Sequence, residues 1–169
     1  MTSTEFEQLG EQTAESVAAF GKAAYERRTI VSVRTWDCIE AQVLRQPGVY
    51  WIETDMPVGE LQRAISEVTN KNRKVRKSAP KGTKLLQQKG TDHYVAYSGT
   101  ELNLQKRLGQ HLFNHGNAET QKLACLIDEP PFNGHKWQVS FTVIKQDVLR
   151  YAVESWWRLE HGWPVFCLR

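Results

Sequence analysis

The sequence predicts an α/β (α+β) domain in which a small three-stranded sheet, antiparallel or mixed, is flanked by helices. Three observations lead there. Apolar runs of strand length occur at residues 48–54, 93–98 and 137–144, with Gly, Pro, Asn or Asp close by. Around these runs, apolar side chains recur at helical spacing. The stretch Lys71 to Lys89 holds eight basic side chains and no acidic one, as an insertion between two strands would.

Residues 4–28, rich in Ala and Glu, form the first helix. Phe6, Leu9, Val17, Phe20, Ala24 and Tyr25 approximate one stripe, and early acids with a closing Arg27-Arg28 suit the helix dipole. Such a helix packs on its own domain or on a partner subunit. Thr29 to Trp36 alternates as a short strand or an extended linker, and Asp37 can cap a brief helix ending before Pro47. Residues 1–46 thus read as a helical extension and 47–169 as the domain proper, with a basic insertion at 55–91.

Gly48 to Thr54 is the first core strand, with Val49 and Trp51 on one face and Tyr50 and Ile52 on the other. Pro57 opens a helix that docks through Leu61, Ile65 and Val68, and Pro80 and Gly82 break any continuation into the basic stretch. The second strand, His93 to Ser98, enters a tight turn at Gly99. The helix after it has Leu104, Leu108 and Leu112 as its inner stripe, so Arg107 and His111 share a neighbouring face one turn apart. Ala118 to Ile127 reads as a further helical piece, followed by a loop at Pro130-Pro131 and Asn133-Gly134. Trp137 to Ile144 alternates as the third strand. The last helix starts at Gln146 or Asp147, with Val148, Tyr151, Ala152, Ser155 and Leu159 spaced for burial.

With 40% hydrophobic and 24% charged residues, an acidic polar N-terminus and no apolar run near membrane length, a soluble cytoplasmic protein is expected. Cys38, Cys125 and Cys167 are odd in number and widely spaced, which suits reduced thiols better than a zinc site or a disulfide framework. Net charge is +3, so the eight basic residues leave −5 for the rest of the chain. A basic segment on an otherwise acidic protein is a local anion-binding device. Its candidate nucleic-acid contacts are Lys71, Arg73, Lys74, Arg76, Lys77, Lys81 and Lys84.

Four pieces stand in order: Gly48-Val49-Tyr50, Tyr94-Val95-Ala96, Leu104-x-x-Arg107-Leu108-x-x-His111, and Glu154 in the last helix. This order resembles the GIY-YIG nuclease family over roughly residues 47–167. The resemblance implies hydrolysis of DNA phosphodiesters with one divalent cation, Mg²⁺ or Mn²⁺, on Glu154. It implies Tyr50 as general base or water-orienting group and Arg107 on the phosphate. Because a phenol is a poor base at neutral pH, His111 is the candidate to lower its pKa or take its proton.

Two alignments of the second tyrosine compete. Tyr94-Val95-Ala96 keeps an aliphatic core position, whereas Tyr97-Ser98-Gly99 keeps the glycine and the step to Arg107; Tyr94 is preferred. Pro164 is followed three residues later by Cys167, where the family commonly has asparagine. The long insertion and short chain are closest in style to the GIY-YIG restriction endonucleases. Cutting a palindrome implies a homodimer, to which the first helix is a candidate contact. A nuclease without sequence preference and a non-catalytic nucleic-acid-binding module are the alternatives; an interaction domain whose Trp156, Trp157 and Trp163 are simply core is the weakest.

Overall fold

The structure, a computed structural model, describes residues 1–69, 75–116 and 123–167. Four strands, β1 (Thr29–Val33), β2 (Gly48–Thr54), β3 (Tyr94–Glu101) and β4 (Trp137–Val143), make one antiparallel sheet in the order β1-β4-β2-β3. That is one strand more than expected. β1 pairs with β4 from Thr29↔Phe141 to Val33↔Trp137. Five alternating residues are too few to tell a strand from a linker, and the partner lies far along the chain. Residues 1–46 therefore supply an edge strand of the sheet.

Five helices complete the fold: α1 (Ser3–Glu26), α2 (Trp36–Gln42), α3 (Val58–Thr69), α4 (Leu104–Leu112) and α5 (Asp147–His161). Alternation along β2 divides them into two layers. Tyr50 and Ile52 face a core built with Ile39 of α2, Leu61 and Ile65 of α3, and Leu104 and Leu108 of α4. Val49 and Trp51 face Ala24 of α1 and Val153 and Trp157 of α5. β2 lies between β3 and β4, and only Glu53 among its residues is not fully buried. Thr35 occupies the N-cap position of α2 without a side-chain capping bond, while Asp37 sits in the first turn instead of at the cap.

Three further expectations are corrected. β3 does not turn at Gly99 but continues to Glu101, with Gly99 paired to Tyr50. Leu123 to Ile127, the described end of the expected 118–127 helix, is not helical. Its amides bond back to α4, Cys125 to the His111 carbonyl (2.8 Å) and Ile127 to that of Leu112 (3.0 Å). In α5 the buried stripe is Arg150, Val153 and Trp157, whereas Val148, Tyr151 and Leu159 are 79%, 61% and 63% exposed. Ser155 is exposed too, and Ala152 half-buried. The helix carries apolar side chains on two faces, and the large indole of Trp157 offers more area to bury than Val148 or Leu159.

α1 meets α5 at Gly21, where a Cβ would overlap the Trp156 indole. Among the described residues no helix is long and apolar enough to cross a membrane.

Candidate functional site

Tyr50 and His111 are both buried and meet directly, phenol oxygen to imidazole Nε2, at 2.8 Å. β2 supplies the tyrosine and the inner side of α4 the histidine. The backbone N–H of Leu123 donates to His111 Nδ1 at 3.0 Å. A neutral imidazole has one donor and one acceptor nitrogen, so Nδ1 is the acceptor and the proton sits on Nε2. His111 therefore donates to the Tyr50 oxygen. It can stabilise a phenolate, but in this tautomer it cannot take the phenol proton through Nε2. Burial pushes the Tyr50 pKa well up, assisted by Tyr97 and opposed by the Arg107 charge. Tyr50 is thus a neutral phenol that orients, and a general-base role is not available to it near neutral pH.

Opposite Tyr50 stands Gly99. A Cβ there would lie 2.6 Å from the Tyr50 hydroxyl and 2.8 Å from the carbon bearing it, so only glycine lets the phenol reach His111. The register explains which second tyrosine joins them. Ile52 pairs with Tyr97 and Glu53 with Val95, which leaves Ala96 as a bulge. Tyr97 lies two residues before Gly99, the partner of Tyr50, and so by alternation shares the Tyr50 face, where its ring stacks on Tyr50 at 6.3 Å and 15° and lies 4.5 Å from the His111 ring. Tyr97 is half-buried, whereas Tyr50 and His111 are buried, so it is the most solvent-exposed member of the group. Tyr94 lies about 10 Å farther along the strand. Its hydroxyl donates to the Met56 carbonyl at 3.0 Å, and burial pushes its pKa above the ordinary phenol range. The geometry thus groups Tyr97, the other alignment, with Tyr50 and His111, and leaves Tyr94 outside.

One turn before His111, Arg107 is held by Glu101 of β3 (3.0 Å) and by Gln110 (2.8 Å). Glu154 lies on the far layer, on α5, and reaches the β3 edge. Its carboxylate accepts from the Thr100 hydroxyl and pairs with Arg158 one turn on. Burial raises the Glu154 pKa against the pull of Arg158. Glu154 and Arg107 are both close enough for their charges to act on Tyr50.

Arg158 is the residue that sequence reasoning missed. Its Nε donates to the Ser98 hydroxyl (3.0 Å) and a terminal N–H to the Ser98 carbonyl (2.9 Å), and its guanidinium lies over the Trp163 ring at 4.6 Å. The signal was present, since Glu154 and Arg158 stand at the i, i+4 spacing of a helical ion pair. The contact with Ser98 was not. Cys167 packs into the same corner, its sulfur accepting from the Ser98 amide at 3.3 Å, and burial raises its pKa.

Glu154 is the carboxylate that could hold a single hard cation. A carboxylate offers about four lone-pair positions, and Thr100 and Arg158 occupy two. Among the described residues no three His, Cys, Asp or Glu side chains are placed to share a metal. A one-carboxylate site suits Mg²⁺, which keeps water and phosphate oxygens as its remaining ligands.

Of the basic segment, Lys71, Arg73 and Lys74 lie outside the described residues. Lys77, Lys81 and Lys84 are exposed. Arg76 is tied inward: its Nε donates to the Cys167 carbonyl at 3.0 Å and its guanidinium covers the Trp163 ring at 4.8 Å, on the indole that Arg158 also meets. The segment beyond it runs beside the C-terminal stretch, with Leu86 N–H on the Trp163 carbonyl (2.9 Å). Compared with protein-family models, curated proteins and solved structures, the chain matches none.

Proposed function

We propose that this chain is a metal-dependent endonuclease of the GIY-YIG type that hydrolyses DNA phosphodiesters in the cytoplasm, with Mg²⁺ or Mn²⁺ as cofactor. One observation carries the reading. Tyr50, Tyr97 with Gly99, and His111, distant in sequence, converge into one hydrogen-bonded and stacked group, with Arg107 and Glu154 in electrostatic reach. Hydrolysis needs an oriented water, charge neutralisation on the phosphate and support for the leaving oxygen.

Tyr97, the most exposed member of the stack, orients the water. The Tyr50–His111 pair beneath it fixes the ring's position and polarity. Arg107 offers a planar fork to two phosphate oxygens once Glu101 gives way. A divalent cation on Glu154 would supply Lewis-acid stabilisation of the leaving oxygen. The exposed Lys77, Lys81 and Lys84 hold the DNA backbone, and those contacts make binding salt-dependent.

A second reading, a nucleic-acid-binding module without hydrolysis, draws on Cys167 at the family's asparagine position and on the pairing of both reactive charges within the chain. One experiment separates them. The purified protein and its Glu154→Ala variant are incubated with long duplex DNA, with and without Mg²⁺, and the products are sized. Discrete metal-dependent fragments absent from the variant lanes are the expected result and indicate a restriction-type enzyme. A smear absent from them indicates a nuclease without sequence preference. DNA intact in every lane refutes hydrolysis and leaves the binding module.

A further inference from the structure

On the outer layer, where α1 and α5 end, the fold leaves a cavity of about 350 Å³. The rings of Tyr25, Trp157 and His161 line one side of it, and Glu53 and Val95 of the sheet line another. Val95 precedes by five residues Thr100, which bonds Glu154, so the cavity stands about 15 Å along β3 from that carboxylate. Its remaining wall is the stretch 86–92, tied down at two places. The Leu86 amide donates to the Trp163 carbonyl (2.9 Å), and the Gln88 side chain donates to the carbonyls of Asp55 (3.0 Å) and Asp92 (3.4 Å).

Two features point to one kind of ligand. The first is a cluster of rings. His161 is exposed and lies 5.1 Å from Tyr25 and 5.2 Å from Trp157, with interplanar angles of 39° and 36°. Such a cluster offers a face on which a flat ring can stack. The second is the half-buried Glu53 carboxylate. Among the described residues only the Ser140 hydroxyl bonds it, at 3.3 Å, which leaves most of its about four lone-pair positions open. Arg28 and His93 act on it through charge alone. Burial raises the Glu53 pKa, and N–H donors brought to the ionised group by a ligand offset that cost. Lys89 and Asp92, which also line the cavity, balance each other, so Arg28 and His93 weigh against a cationic ligand. The match is a neutral flat ring with two adjacent N–H donors.

We propose that this cavity binds a single unstacked guanine base, with Glu53 accepting from its ring N–H and its exocyclic amino group and the Tyr25–His161 rings stacked on its face. Adenine and cytosine carry an acceptor beside their amino group, and thymine and uracil flank one N–H with two carbonyls. Each therefore sets a lone pair against the carboxylate, whereas guanine sets none. Inside a double helix that edge of guanine is occupied by pairing, so the base comes from a free nucleotide or from a strand whose base is unpaired or extruded.

The site does not depend on the nuclease reading, and its test omits the metal. In calorimetric titration of the full chain at pH 8 without divalent cations, guanosine monophosphate should bind about tenfold or more tighter than adenosine monophosphate, the worth of hydrogen bonds to a charged acceptor. Glu53→Gln should abolish that preference, because an amide offers one acceptor and sets a donor against the second N–H. His161→Ala, at an exposed position, should weaken both nucleotides by roughly fivefold or more through lost stacking. Single-stranded oligothymidylates carrying one guanine or one adenine distinguish the sources. Tighter binding of the guanine oligonucleotide than of the monophosphate assigns the site to a nucleic-acid strand, and binding no tighter assigns it to a free nucleotide. Absence of a guanine preference with both kinds of probe would overturn the proposal, as would a preference that survives Glu53→Gln.

Discussion

Tyr50→Phe tests the site at its least accessible point. The substitution removes one oxygen and keeps the ring. In the parent, that oxygen is the acceptor for the His111 Nε2–H at 2.8 Å, and the imidazole cannot switch tautomer to compensate because the Leu123 amide already donates to Nδ1. Both residues are essentially inaccessible to solvent. The variant therefore leaves a buried N–H without an acceptor, which costs about 1–3 kcal/mol. For a domain of this size that corresponds to a fall in Tm of roughly 2–12 °C. Thermal unfolding by circular dichroism reads the shift, and imidazole ¹⁵N–¹H spectra of the parent should show the Nε2-protonated tautomer. A parent spectrum with the proton on Nδ1, or a variant as stable as the parent, would refute this account of the Tyr50–His111 pair.

Three other outcomes are expected. Glu101→Gln removes the carboxylate that holds Arg107 at 3.0 Å; in metal-free filter binding the variant should hold DNA more tightly by up to about fivefold, the worth of a weak ion pair, and unchanged binding would exclude Glu101 as an occupant of the phosphate's place. Tyr97→Phe should lower turnover while leaving Tm near the parent's, whereas Tyr94→Phe, which loses only its bond to the Met56 carbonyl, should lower stability by about 1 kcal/mol with turnover intact; the reverse pattern restores the Tyr94 alignment. Glu53 has its pKa raised above 4.5 by burial, against the opposing effects of Arg28 and the Ser140 hydroxyl. Folding thus favours its protonated form, and the stability this contributes is complete below 4.5 and is lost as pH rises through the folded value. Glu53→Gln should raise Tm at pH 8 and leave it unchanged at pH 4, and an equal shift at both would show that charge is not the cause.

Several features were determined by the sequence alone. The alternation of Gly48 to Thr54 fixed which residues of the central strand face each layer, and the leucines at 104, 108 and 112 placed Arg107 and His111 one turn apart. Both follow from local periodicity, in which each side chain's direction is set by its own few neighbours. His111 beside Tyr50 was expected only through the family resemblance, as helper to a phenol that is a poor base, and the Leu123 amide on Nδ1 leaves it the donor's part instead of the proton acceptor's.

Only the tertiary structure decided the rest. The choice between Tyr94 and Tyr97 rests on the strand pairing: Gly99 stands opposite Tyr50, so Tyr97 two residues away shares its face and reaches its ring, whereas the bulge at Ala96 leaves Tyr94 on that face but opposite Thr54, about 10 Å farther along. β1 became a strand because β4 lay ready to pair with it, far along the chain. α5 had two apolar faces, and the side that docked was the one whose tryptophan matched Trp51 and the α1 surface. Glu101 on Arg107, Arg158 on Ser98 and the Leu123 amide on His111 join residues on different elements. No window of the sequence contains those distances, because through-space contact is set by how the layers close on one another.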